Sequence, residues 1–316
     1  MLSMPSSLEP ARWQRSQHRT ISNEEERPMN EVADIDSLLP AARLTRRDFI
    51  VTATAAGFAL AVQPVCAQTM IKTDDTGLRT GDATVDTGTG ALPIYFAAPA
   101  EGDQLPIVLV VQEIFGVHEH IRDVCRRLAK AGYLAVAPEL YFRQGDPRKY
   151  DNVADLLSGL VGKVPDAQVL SDLDKTAAWA GSHGGNAKRL AITGFCWGGR
   201  ITWLYAAHNP VLKAAVAWYG RLDGVPSELN PHHPLDLVDE IKAPVLGLYG
   251  AQDQGIPVDD VEAMRSAMAK AGKEYDIVIY PDAGHAFNAD YRPSYREGPA
   301  KDAWKRMLAW LDKHDG

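Results

Sequence analysis

The chain has 316 residues, a formal net charge of −8 and 46% hydrophobic residues. One or two globular domains fit that length, and an acidic surface has no general attraction for nucleic acid or anionic lipid, which sets nucleic-acid binding aside. The three cysteines, Cys66, Cys125 and Cys196, are too few and odd in number for a disulfide framework, so each is judged by its own surroundings.

Residues 1–44 are polar and charged, without a sustained apolar period. Thr45-Arg46-Arg47-Asp48-Phe49-Ile50 follows, then the mildly apolar run VTATAAGFALAVQPV, and then Val65-Cys66-Ala67 ahead of Gln68. Paired arginines, one residue and Phe-Ile resemble a twin-arginine export signal, with a small-residue cleavage site after the apolar run. That run is shorter than the ~20 residues a spanning helix needs. The order predicts a signal region with a long n-region over residues 1–67, Cys66 discarded with it, and a periplasmic or secreted mature protein that meets the membrane only during export. A start at Met29 would give a leader of more usual length.

From about residue 80 the pattern becomes that of one α/β domain, residues 68–316 in all. LPIYFAAP (92–99) reads as a strand. PIVLVVQE (106–113) is a continuous apolar run and reads as a buried parallel strand. Residues 119–133 carry Ile121, Val124, Cys125, Leu128 and Ala129 on one helical face, which makes Cys125 a core residue. LAVAP (134–138) is a strand, ELYFRQGDP a loop, and 151–161 and 166–180 are helices. RLAITGF (189–195) is a strand that runs straight into a helix at CWGGRITWLYAAH. AAVAWYG (214–220), PVLGLYG (244–250) and YDIVIY (275–280) are further strands. PVDDVEAMRSAMAKAG (257–272) and GPAKDAWKRMLAWLDKH (298–314) are helices. Such alternation predicts a mostly parallel sheet covered on both faces.

Gly194-Phe195-Cys196-Trp197-Gly198-Gly199 sits between a strand and a helix, which is the setting of a nucleophile elbow. The turn requires small residues two before and two after the nucleophile, and both are glycine. It points the N-terminus of the next helix at the reacting atom, where partial positive charge favours an anion. Cysteine needs less activation than serine, because a thiol ionises far more readily than an alcohol. Asp253 follows a strand in YGAQD (249–253), and His285 follows a strand in AGHAF (283–287). A carboxylate there can orient an imidazole by accepting its Nδ1–H. The chain order nucleophile, acid, histidine is that of the α/β-hydrolase fold.

QEIFG (112–116), PELYFRQG (138–145), GFCWGG (194–199), YGAQD (249–253) and AGHAF (283–287) together resemble the dienelactone hydrolase family, from about residue 90 to the C-terminus. The resemblance implies an α/β-hydrolase fold and hydrolysis of a small lactone or carboxylic ester through an acyl-enzyme on Cys196, with Asp253 and His285 as acid and base. It implies no metal or organic cofactor. It gives Glu113 a role beside the thiol, as its resting partner and as an aid to thiolate formation. Backbone N–H groups of Trp197 and Ile114 would form the oxyanion hole. Arg143, in the matched LYFRQG segment, and Tyr219 and Phe287 are candidate substrate contacts. The best-known members hold a substrate carboxylate with arginines, one of them four residues after the catalytic histidine. That place is Ala289 here, with Arg292 three residues further on, and the residue after the histidine is Ala286.

Two other readings compete. A non-catalytic small-molecule binding protein on the same fold would need a broken triad, and all three positions are occupied. A thiol redox protein built on Cys196 would need a resolving cysteine at C-x-x-C spacing, and there is none. The partner expected is a small lactone or ester, and a monomer is compatible with the sequence.

Overall fold

A computed structural model describes residues 69–316; the signal region assigned to residues 1–67 lies outside the described residues. One eight-stranded sheet organises them. Its strands are β1 (Leu78–Asp86), β2 (Ala91–Pro99), β3 (Leu105–Val111), β4 (Leu134–Pro138), β5 (Gly185–Phe195), β6 (Ala214–Trp218), β7 (Val245–Gly250) and β8 (Tyr275–Tyr280). They lie in the order β1-β2-β4-β3-β5-β6-β7-β8. From β4 to β8 every pairing is parallel, and β1 and β2 add an antiparallel edge.

The helices are α1 (Glu119–Lys130), α2 (Val153–Gly159), α3 (Asp166–Ser182), α4 (Trp197–His208), α5 (Val258–Lys270) and α6 (Glu297–Lys313). The crossover β3–α1–β4 steps one way along the sheet, and β5–α4–β6 steps the other. Right-handed crossovers in opposite directions put their helices on opposite faces. Thus α1 shares its face with α6, where the Arg127 guanidinium lies 6.0 Å over the Trp304 ring. On the other face Arg200 of α4 forms a buried bidentate pair with Asp166 of α3, both N···O distances being 2.7 Å.

Sequence pattern and structure agree where burial is one-sided or complete. Ile107 to Val111 of β3 are all fully buried, as are Leu134 to Ala137 of β4. The face of α1 built from Ile121, Val124, Cys125, Leu128 and Ala129 is buried as the periodicity requires. Strand β1 is the element the pattern did not announce. Only Val85 of it is buried, so it has no hydrophobic alternation. Backbone pairing with β2 holds it, in unbroken register from Leu78–Pro99 to Asp86–Ala91. The helix expected over 151–161 is shorter. Asn152 caps α2 by accepting the Asp155 N–H at 2.8 Å, and a separate 3-10 turn follows at Val161–Lys163.

This topology decides where a site can be. The strand order reverses between β3 and β5, and in such sheets the crevice at the carboxyl ends of the reversing strands receives ligands. Glu113 stands just past β3 and Cys196 just past β5. Tyr219, Asp253 and His285 follow β6, β7 and β8 at the same end of the sheet.

Candidate active site

Cys196 occupies a turn that backbone sterics dictate. Its φ is 57° and its ψ −113°, a conformation that costs a non-glycine residue about 1–3 kcal/mol. Its N–H donates to the Trp218 carbonyl at 3.0 Å, which ties the turn to β6. The flanking glycines are needed for space. A Cβ on Gly194 would stand 2.3 Å from the Gly198 carbonyl oxygen, and one on Gly198 would stand 2.5 Å from the oxygens of Val111 and Gln112. The close approach of β3 to the head of α4 therefore depends on Gly198. It also sets Cys196, the N-cap of α4, beside the tip of β3. The first backbone N–H groups of a helix have no intrahelical acceptor, and Trp197 supplies the first of these. Ile114, on the β3 side, is buried.

His285 is brought to this point by the loop after β8. Its Nδ1 is 2.7 Å from Asp253 Oδ2, and both side chains are buried. The other Asp253 oxygen accepts the Gly255 N–H at 2.9 Å, which fixes the carboxylate in its turn. Burial by itself pushes the His285 imidazole down. The Cys196 sulfur and the Asp253 carboxylate outweigh burial and hold it well above its ordinary value. The imidazole thus lies between a carboxylate on one side and the sulfur on the other. Tyr219, at a φ of 38°, presents its ring edge to His285, with centroids 5.1 Å apart. Its ring also meets Phe287 at 5.4 Å. The Tyr219 hydroxyl is buried and has no hydrogen-bond partner among the described residues. Burial pushes it well above the usual phenol range, helped by the charges of Glu113 and Cys196. It therefore stays protonated and able to donate. Tyr141, after β4, packs against Trp197 with ring centroids 4.9 Å apart.

Two side chains have partners that the sequence did not announce. Glu113 is buried near the elbow, but its hydrogen bonds run elsewhere. Its Oε2 accepts the Tyr291 hydroxyl at 2.9 Å and lies 3.3 Å from His118 Nε2. Among the described residues no hydrogen bond joins it to the Cys196 thiol. Burial would push this carboxyl up; His118, with His120 and Arg292 behind it, holds it down at about 2. Arg143 is the second. Its guanidinium donates to both Asp172 oxygens at 2.6 and 3.0 Å, to Thr89 at 2.9 Å and to Thr87 at 2.7 Å. It also stacks on Phe142. Four of its five N–H donors tie α3 to the β1–β2 turn.

His118, Tyr291 and Arg292 are the site residues that sequence reasoning passed over as partners of Glu113. Arg292 is buried, its guanidinium 4.7 Å from the ring centroids of both Phe115 and Tyr291. The available signal was composition: polar residues in GVHEH (116–120) and ADYR (289–292), each close behind a matched motif.

Residues 92–315 match the model of the dienelactone hydrolase family. A protein of Methylorubrum extorquens named "Putative carboxymethylenebutenolidase" is 59% identical over 283 residues, covering 89% of this chain and 97% of that one. A protein of the same name from Escherichia coli K12 is 57% identical over 266 residues, covering 84% and 98%. The crystal structure of the "Putative Dienelactone Hydrolase" of Klebsiella pneumoniae superposes with a TM-score of 0.74 at 62% identity, covering 75% of this chain and 99% of that one.

Proposed function

Since the chain belongs to the dienelactone hydrolase family, we propose that it hydrolyses small lactones or carboxylic esters with Cys196 as nucleophile, His285 as base and Asp253 as the residue that orients His285. The observation that carries this reading is the buried 2.7 Å His285–Asp253 pair facing a cysteine on a strained strand-to-helix turn. The thiol proton passes to His285 Nε2, and the sulfur attacks the substrate carbonyl. Backbone N–H groups of Trp197 and Ile114 meet the oxyanion. The alkoxide leaves with the proton from His285, and an acyl-cysteine remains. A water activated by the same imidazole hydrolyses it. The Tyr219 hydroxyl supplies a hydrogen bond to a substrate oxygen, and Phe287 supplies apolar contact beside it.

The test is a turnover panel of p-nitrophenyl acetate, a dienelactone and short lactones, run on the wild-type chain and Cys196→Ala. A burst of p-nitrophenolate equal to the enzyme concentration, followed by slower turnover, is expected for the wild type and no turnover for the variant. Full activity in Cys196→Ala would discard the reading. We propose in addition that the chain is exported through the Arg46-Arg47 signal and cleaved near Gln68, which supports a periplasmic or secreted enzyme. N-terminal sequencing of exported protein tests this, and a start well before residue 60 would overturn it.

A further inference from the structure

The first described residues reach across α1 to the loop that carries His285. We infer that residues 69–73 are a strap that holds this loop in its working conformation through Asp290, a positioning residue for the His285 imidazole. This rests on the hydrolytic reading above and adds a distant part of the chain to its scaffold.

The loop after β8 needs such support. Ala286, next to His285, has a φ of 57°, a strained conformation for a residue with a Cβ, which persists only where its surroundings over-determine it. Ser294 Oγ donates to the Ala286 carbonyl at 3.2 Å and the Arg296 N–H to that of Phe287 at 3.0 Å, which shapes the loop from within. Asp290 fastens it from outside. Its Oδ2 accepts the Arg127 guanidinium of α1, and its Oδ1 accepts the Ile71 N–H at 3.3 Å. Its main-chain carbonyl accepts the Thr69 hydroxyl.

The other end of the strap is tied to the same helix. The Thr73 N–H donates to Asp123 Oδ1 at 2.6 Å, and Arg126 Nε donates to the Thr73 carbonyl at 2.8 Å. Arg127 also donates to Asp123 Oδ2. Residues 71–73, Asp123, Arg127 and Asp290 thus close one ring of hydrogen bonds through three separate parts of the chain. Asp123 and Asp290 are both buried, and buried carboxylates stay ionised only against donors and positive charge. Burial pushes the Asp290 carboxyl up; His120, whose Nδ1 is 3.7 Å away, and Arg127 hold it down at about 2. A buried ion pair is a poor source of net stability. What this one fixes is the place of the His285 loop relative to α1. Within the strap Met70 packs on the core, while the Ile71 side chain is 41% exposed, so Ile71 serves through its main chain. Cleavage near Gln68, as proposed above, leaves the strap on the mature enzyme.

The consequence is that residues far from the strand tips help set the distance between His285 Nε2 and the Cys196 sulfur. With the strap released the loop drifts, and a small displacement of a reacting group is costly in rate.

The experiment pairs ester kinetics with iodoacetamide alkylation of Cys196 at pH 7, read by mass spectrometry on the full chain. Ile71→Pro removes the N–H that Asp290 accepts, and Ile71→Ala keeps it. Ile71→Pro is expected to lower kcat about fivefold with KM within about twofold, and to slow alkylation by a similar factor, because the imidazole sets the thiolate fraction. Ile71→Ala should stay within about twofold of the wild type in both. Asp290→Ala should lower kcat by about tenfold. Adding Ile71→Pro to it should cost less than about twofold more, since both remove one contact. Labelling of Cys125, which shares α1 with Arg127, should stay as in the wild type throughout. If Asp290→Ala does not melt cooperatively, Thr73→Pro, which removes the N–H donated to Asp123, takes its place and should match Ile71→Pro. An Ile71→Pro protein with unchanged kcat and alkylation would overturn the inference. So would equal losses in Ile71→Pro and Ile71→Ala, or losses that multiply in the double variant. A rise in Cys125 labelling alongside the losses would overturn it too, by marking a general loosening of α1. None of these results touches the hydrolytic reading, which stands or falls on turnover by Cys196→Ala, and the alkylation arm needs no substrate.

Discussion

Cys125 and Cys196 are both free and both buried, yet their surroundings are opposite. Cys125 lies on the apolar face of α1 among Ile121, Val124 and Leu128, and burial drives its thiol far above the ordinary value. Cys196 stands at a helix N-terminus on a strained turn, facing an imidazole whose basicity it helps raise. Burial therefore does not decide what a cysteine does. What decides is whether its neighbours stabilise an anion, and only strand tips and helix ends bring such neighbours together.

The comparison breaks first at the imidazole. Asp253→Asn should lower kcat/KM by roughly 10³–10⁴-fold, because His285 loses the anion that fixes its tautomer. Ester kinetics on a variant of unchanged fold measure this, and a loss below tenfold would mean that Asp253 merely closes a turn. Next comes direct competition between the thiols. In the native protein at pH 8, iodoacetamide should modify Cys196 at least roughly a hundredfold faster than Cys125, since buried structural thiols are inert. Peptide mapping reads the ratio, and equal labelling would mean that the two thiols do not differ in reactivity.

Gly198→Ala sharpens the role of the elbow. The new Cβ would meet backbone oxygens at 2.5 Å, and backbone cannot step aside as a side chain can. Stability should fall by about 3 kcal/mol, visible as a lower Tm together with lost activity. Retention of both would show that β3 does not need to approach the head of α4 so closely. Cys125→Ala should do the reverse, costing on the order of 1 kcal/mol from a small cavity while leaving kcat/KM unchanged.

The smallest expected effect is on pH dependence. The folded state raises His285 above its ordinary value of 6.5. Above that pH the native protein binds more protons at this site than the unfolded chain does. Its stabilising contribution is therefore complete below pH 6.5 and is lost as pH rises through the raised value. Denaturant melts at pH 6 and pH 9 should show this decline, and Cys196→Ala should flatten it by removing the largest of the groups that raise the imidazole. A steeper decline in the variant would contradict the assignment.

The amino-acid sequence by itself determined the sheet, most element boundaries and the residues at the strand tips. Those features rest on local patterns: continuous apolar runs for β3 and β4, one helical stripe for α1, and glycines two residues either side of Cys196. It left out β1, whose side chains are mostly outside the core and which is paired with β2 along its whole length. The partners of the charged groups were decided only by tertiary structure. Arg143 went to Asp172, 29 residues on, and Glu113 to Tyr291, 178 residues on. A buried charge must find a partner in three dimensions, and no periodicity along the chain records which one, because hydrogen bonds between distant loops leave no spacing to read.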